Sequence, residues 1–127
     1  MSMRKSILVL DDSQLALEVM HDALETAGFD VTLANDLRTF ERHIATSTPD
    51  LILLDVNMPE AFGDDVGAVL RGVRHLTVPI WLFSSMDEAR LEARSREAGL
   101  SGFISKGAGV DALVKRVRDI LGAPETS

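Results

Sequence analysis

Short apolar runs alternate with amphipathic stretches along most of the chain. Three to five consecutive residues make up each run, which we interpret as a β-strand: residues 6–10, 31–34, 51–54, 80–83 and 103–105. Between the runs, apolar residues recur at the spacing of an α-helix, most regularly from Val110 to Leu121. This alternation predicts an α/β fold in which a parallel sheet carries helices on both faces.

The helical segment at residues 87–98 departs from this pattern. Leu91 is its only large apolar residue, whereas Arg90, Arg94 and Arg96 give it a strongly charged character. We therefore expect a weakly packed fourth helix whose arginines form a solvated face.

Polar side chains follow four of the five predicted strands. Asp11 and Asp12 come after the first strand, Asp55 after the third, Ser84 after the fourth and Lys106 after the fifth. The carboxyl ends of parallel strands meet at one sheet edge, where open α/β sheets place their ligand sites. In a flavodoxin-like sheet of strand order 2-1-3-4-5, with five helices, the three aspartates would converge.

Three neighbouring carboxylates repel one another, and one lysine offsets only part of their charge. Raised pKa values or a divalent cation would relieve the repulsion. Oxygen ligands without histidine or cysteine favour Mg²⁺, with Mn²⁺ or Ca²⁺ as alternatives. Asp55 could also act as a nucleophile, because aspartate carboxylates form acyl phosphates. Alternatively, Asp11 and Asp12 could simply cap the first helix.

Composition narrows the range of functions. The 127 residues fit one domain, with a core at about residues 5–122 and a short polar C-terminal tail. The net charge of -7 argues against nucleic acid as a partner. No apolar stretch is long enough for a membrane span, and the absence of cysteine fits a cytoplasmic protein.

Four motifs, in order, resemble those of response regulator receiver domains, especially the single-domain chemotaxis type of two-component signalling. The motifs are Leu8-Val9-Leu10-Asp11-Asp12-Ser13, Leu54-Asp55-Val56-Asn57-Met58-Pro59 with Gly63, Pro79-Ile80-Trp81-Leu82-Phe83-Ser84, and Gly102-Phe103-Ile104-Ser105-Lys106. The resemblance covers essentially the whole chain and implies a phosphorylated signalling switch. It also implies two kinds of partner: a sensor histidine kinase or phosphotransfer protein as donor, and a downstream protein target.

The resemblance assigns a role to each acid. Asp55 would accept the phosphoryl group in a Mg²⁺-dependent reaction. Asp12 and Asp55 would bind the metal through their carboxylates, Asn57 through its backbone carbonyl, and Asp11 mostly through a metal-bound water. The protein would then be a monomer or weak dimer that dephosphorylates itself and turns over no external substrate.

The resemblance also implies how phosphorylation is sensed. Ser84 and Lys106 would contact the phosphoryl oxygens, Ser84 and Phe103 would switch position, and the surface of the fourth helix, fifth strand and fifth helix would change. Phe103 could equally be a simple core residue. Gly107 replaces the usual proline, and Met86 replaces a commonly polar residue, so the lifetime of the phosphorylated state stays open.

Two other functions compete with this hypothesis. A protein-binding module of the same fold could work without phosphorylation. A phosphatase of the haloacid dehalogenase type also uses an aspartate at a strand end, but it requires a second acid two residues later, where this chain has Asn57.

Overall fold

A computed structural model describes residues 4–122 of the chain. Five strands form one parallel sheet in the order β2-β1-β3-β4-β5, which confirms the predicted flavodoxin-like fold class. The strands are β1 Ser6–Leu10, β2 Asp30–Ala34, β3 Leu51–Leu54, β4 Ile80–Ser84 and β5 Gly102–Ser105. The helices are α1 Gln14–Thr26, α2 Leu37–Thr46, α3 Gly63–Gly72, α4 Glu88–Glu97 and α5 Val110–Leu121, with a 3₁₀ turn at Lys106–Ala108.

The sheet separates two apolar clusters. Alternate residues of each strand point to opposite faces, so Ile7 and Val9 join one cluster while Leu8 and Leu10 join the other. Helices α1 and α5 cover the first face, and α2, α3 and α4 cover the second. All four residues of β3 are buried, because this strand lies in the middle of the sheet with helices on both sides.

The ends of helix α1 are occupied by residue types that are common at helix ends. Ser13 caps α1, and its hydroxyl accepts a hydrogen bond from the Ala16 N–H at 3.2 Å. Gly28 follows the helix with φ of 103°, a left-handed conformation that favours glycine. Because Ser13 is the cap, the alternative in which Asp11 or Asp12 caps α1 is wrong.

Helix α4 buries only Leu91 and Ser95, in agreement with the expectation of a weakly packed helix. Its arginines differ from the expected solvated face in one respect. Arg94 forms an ion pair with Asp64 of α3 and is only half-exposed, whereas Arg90 and Arg96 are exposed.

Trp81 is half-buried on β4 and packs against the apolar cluster beneath α1 and α5. Its ring fills the space in which Gly102 of β5 would otherwise carry a side chain. The guanidinium of Arg116, on α5, lies 5.6 Å from the centroid of the indole ring, within the range of a cation–π contact.

No helix within residues 4–122 combines the length and the apolar character that crossing a membrane requires. The predicted polar C-terminal tail continues beyond Gly122, and that part lies outside the described residues.

Candidate functional site

Asp55 is the first residue after β3 and stands at the carboxyl edge of the sheet. Its N–H donates a hydrogen bond to the Leu10 carbonyl at 2.9 Å, so the ends of β1 and β3 are level. The residue is only 7% exposed. Four apolar residues anchor the strand before it, and they hold the carboxylate at a fixed height above the core.

Asp11 and Asp12 reach the same edge from β1. Asp11 is buried, and its Oδ1 accepts a hydrogen bond from the Ser13 N–H at 2.9 Å. Asp12 is exposed. One carboxylate oxygen from each of Asp11, Asp12 and Asp55 lies within 4.8 Å of the other two. The structure therefore brings together the three acids that we expected to converge at the strand ends.

Lys106 approaches the acids from the end of β5. Its Nζ lies 2.6 Å from Oδ2 of Asp11 and 3.8 Å from Oδ1 of Asp55. The ammonium also sits 5.5 Å from the centroid of the Phe83 ring. The lysine is thus held by a buried carboxylate and an aromatic face, and it stays within reach of a group bound to Asp55.

Asp55 has too little positive charge near it to balance its own carboxylate and its acidic neighbours. Burial raises the pKa of the Asp55 carboxyl to about 6, and the negative charge of Asp11 acts in the same direction. The ammonium of Lys106 and a hydrogen bond from the Asn57 N–H lower that pKa, while the charge of Asp12 adds a smaller increase. Three acids with one lysine form a site that favours an added cation.

The donor set fits Mg²⁺. Carboxylate oxygens from Asp11, Asp12 and Asp55 are hard ligands, and Mg²⁺ in proteins commonly takes one or two carboxylates and keeps several waters. Three carboxylates whose oxygens lie within 4.8 Å of one another, with the one ammonium of Lys106 beside them, leave negative charge to be neutralised. Asn57 follows Asp55 by two residues and is exposed; the role of its backbone carbonyl stays a prediction.

Ser84 and Phe103 belong to β4 and β5, the two strands beyond β3 in the sheet. Ser84 is fully buried at the end of β4, and its hydroxyl accepts a hydrogen bond from the Met86 N–H at 3.2 Å. Phe103 is half-buried and packs against the apolar cluster beneath α4. This placement is consistent with either a core role or a switching role for Phe103.

The loop between β3 and α3 lies directly against Asp55. A Cβ atom on Gly63 would overlap the backbone carbonyl oxygen of Asp55. Asn57 and Phe62 pair as an isolated antiparallel bridge, and the Gly63 N–H donates to the Val56 carbonyl at 3.0 Å. The motif contained Gly63, but its local pattern does not reveal that the missing side chain makes room for the backbone of Asp55.

The sequence interpretation also missed Arg94. Its Nη1 lies 3.2 Å from Oδ1 of Asp64, and its guanidinium lies 5.2 Å from the centroid of the Phe62 ring. Both partners belong to the loop and first turn that follow Asp55. No local spacing could reveal this contact, because 30 residues separate Arg94 from Asp64.

The family model described as response regulator receiver domain matches residues 7–118. The chain is 32% identical over 123 residues to the alkaline phosphatase synthesis transcriptional regulatory protein PhoP of Bacillus subtilis, covering 97% of this chain and 51% of that protein. It is 27% identical over 124 residues to the polar-differentiation response regulator DivK of Brucella anthropi, covering 94% and 98%. The chain therefore spans about half the length of the transcriptional regulators it matches.

Solved structures agree on the fold. The chemotaxis response regulator CheY4 of Vibrio cholerae superposes with a TM-score of 0.83 at 24% identity, over 93% of this chain and 99% of that one.

Proposed function

The chain belongs to the response regulator receiver domain family, and we propose that Asp55 is its phosphoryl acceptor. Receiver domains of this family act as signalling switches in two-component systems. The observation that carries the proposal is the position of the Asp55 carboxylate at a strand end, 3.8 Å from Lys106 and within 4.8 Å of two further acids.

The proposed reaction is an in-line transfer. A carboxylate oxygen of Asp55 attacks the phosphorus of a phosphohistidine on the donor protein, an O–P bond forms and the N–P bond breaks. The electron pair leaves with the imidazole nitrogen of the donor. Lys106 places positive charge beside the incoming phosphoryl oxygens, and Ser84 can donate a hydrogen bond to one of them. Catalysis here is mainly positioning and charge neutralisation.

Asp12 and Asp55 would hold Mg²⁺ through carboxylate oxygens, Asn57 through its backbone carbonyl and Asp11 through a bound water. The ion supplies charge neutralisation between the acids and the phosphoryl oxygens. Hydrolysis of the acyl phosphate by water would return Asp55 to its resting form.

We further propose how the signal leaves the site. The donor is a sensor histidine kinase or phosphotransfer protein, and the target is a protein that reads α4, β5 and α5. A groove of about 430 Å³ lies on this surface and is lined by residues that include Trp81, Glu88, Phe103 and Arg116. Residues 1–127 would form one receiver unit with its core at about residues 5–122, acting in the cytoplasm as a monomer or weak dimer.

Incubation with Mg²⁺ and acetyl phosphate tests the proposal. Intact-mass measurement should show one added phosphate on the wild-type chain and none on Asp55→Asn. Asp65→Asn, which removes an exposed acid of α3, should be phosphorylated like the wild type. If the wild type acquires no phosphate, the proposal is wrong; unchanged partner binding by Asp55→Asn would then favour a phosphorylation-independent binding module of the same fold.

A further inference from the structure

We infer that Arg94 is a positioning residue that tethers α4 to the loop beside Asp55 and opposes the change that a phosphoryl group induces. This inference rests on the proposed phosphorylation of Asp55. It concerns the contact of α4 with Phe62 and Asp64, at the junction of the β3–α3 loop and α3, which lies outside the acidic site itself.

The contact has two components. The Nη1 atom of Arg94 lies 3.2 Å and 3.4 Å from the two carboxylate oxygens of Asp64. The guanidinium lies 5.2 Å from the centroid of the Phe62 ring, so it makes a cation–π contact as well as an ion pair. The side chain of Asp64 is only 15% exposed, which limits screening of the ion pair by water and salt.

Both partners of Arg94 lie in the segment that packs against Asp55. Phe62 and Asp64 flank Gly63, which has no room for a side chain against the backbone carbonyl of Asp55. Phe62 also pairs with Asn57, two residues after the acceptor. A shift of the Asp55 backbone would therefore press on the segment whose side chains contact Arg94.

Helix α4 contributes one large apolar side chain, Leu91, to the core. It buries only Leu91 and Ser95, so a polar contact carries a larger share of its attachment than it would in an apolar helix. Elements with few buried contacts are the ones that adopt two arrangements at low cost.

The start of α4 is linked to the site by a second route. The Ser84 hydroxyl accepts a hydrogen bond from the Met86 N–H at 3.2 Å, and Asp87 caps α4 directly afterwards. If Ser84 turns towards a phosphoryl group, this turn gives up that hydrogen bond and the start of α4 is released. Arg94, two helical turns further on, still ties α4 to α3.

Release of the tether should therefore favour the phosphorylated arrangement. A ligand that binds one of two states gains apparent affinity when the competing state loses a stabilising contact. Beryllofluoride with Mg²⁺ is a suitable probe, because it forms a phosphoryl-like group on a carboxylate oxygen. We expect Arg94→Gln and Asp64→Asn each to bind it about threefold or more tightly than the wild type.

Isothermal titration calorimetry measures these affinities. The double variant should bind no more tightly than the single variants, because both remove the same contact. Arg94→Lys, which keeps the charge opposite Asp64, should fall between Arg94→Gln and the wild type. Arg90→Gln removes an exposed arginine of the same helix and should bind like the wild type.

The direction of the change separates positioning from structural damage, since general loss of structure weakens binding. Unchanged or weaker binding by Arg94→Gln, or equal tightening by Arg90→Gln, would overturn the inference. Asp64→Asn tests the same contact from α3 if Arg94→Gln does not fold. Absence of binding by the wild type would instead remove the proposed function and this inference with it.

Discussion

Lys106 is closer to Asp11 than to Asp55: its Nζ lies 2.6 Å from Oδ2 of Asp11 and 3.8 Å from Oδ1 of Asp55. The lysine is therefore anchored by one acid while its charge acts on a second. A phosphoryl group on Asp55 would meet an ammonium that is already positioned, which reduces the reorganisation needed during transfer.

Replacement of Lys106 tests this arrangement. Lys106→Met should lower the rate of phosphorylation by acetyl phosphate by about a hundredfold, because the phosphoryl oxygens lose their fixed positive charge. Intact-mass time courses measure the rate. Lys115→Met, at an exposed lysine of α5, is the matched control; equal slowing by both variants would show that net charge alone is responsible.

The convergence of the acids was predictable from the sequence. Strand-end positions of Asp11, Asp12 and Asp55, together with the strand order 2-1-3-4-5, placed the three carboxylates at one edge. Periodicity and chain order determine these features, because each strand presents its next residue at the same end of a parallel sheet.

Contacts between side chains on different elements were not predictable. The preference of Lys106 for Asp11 and the contact of Arg94 with Asp64 depend on the distances between packed elements. The local pattern of residues carries no information on such distances. For this reason the sequence predicted Arg94 only as part of a solvated face.

The stability of the metal-free chain should fall as pH rises from about 4 to 6. Asp55 titrates near 3.8 in an unfolded chain and at about 6 in the folded one. Between those values the folded state binds more protons, so deprotonation of Asp55 decreases the free energy of unfolding. The loss should be about 1–2 kcal/mol, allowing for water at the sheet edge.

Urea unfolding with a chelator, followed by circular dichroism, measures this effect. At pH 7.5, Asp55→Asn should be more stable than the wild type by about 1–2 kcal/mol, and the difference should disappear near pH 4. Equal stabilities at pH 7.5 would contradict a destabilised carboxylate at this position.

Mg²⁺ should reverse the destabilisation. At about ten times its dissociation constant, the ion should add about 1.4 kcal/mol to the free energy of unfolding of the wild type. Asp12→Asn, at an exposed position, should reduce this gain without unfolding the chain. Thermal unfolding at increasing MgCl₂, with NaCl matched for ionic strength, gives the measurement. A similar gain from NaCl would indicate screening instead of a metal site.

Gly63 and Gly72, both in α3, provide a matched pair. Gly63→Ala should destabilise the chain by about 3 kcal/mol, because the added Cβ overlaps the Asp55 carbonyl oxygen. Gly72→Ala has open space around the added atom and should stabilise the chain by about 0.5 kcal/mol through helix propensity. Urea denaturation distinguishes the two; a mild effect of Gly63→Ala would mean that the loop between β3 and α3 can move away from Asp55.

Trp81 packs beneath Gly102, and Arg116 lies across its ring. This tryptophan can serve as an intrinsic fluorescence probe. The chain has one tryptophan and no tyrosine, so its near-ultraviolet fluorescence comes almost entirely from one indole. That indole borders the groove between β5 and α5. Occupancy of this groove by another protein could therefore be followed as a change in emission, without attaching a dye.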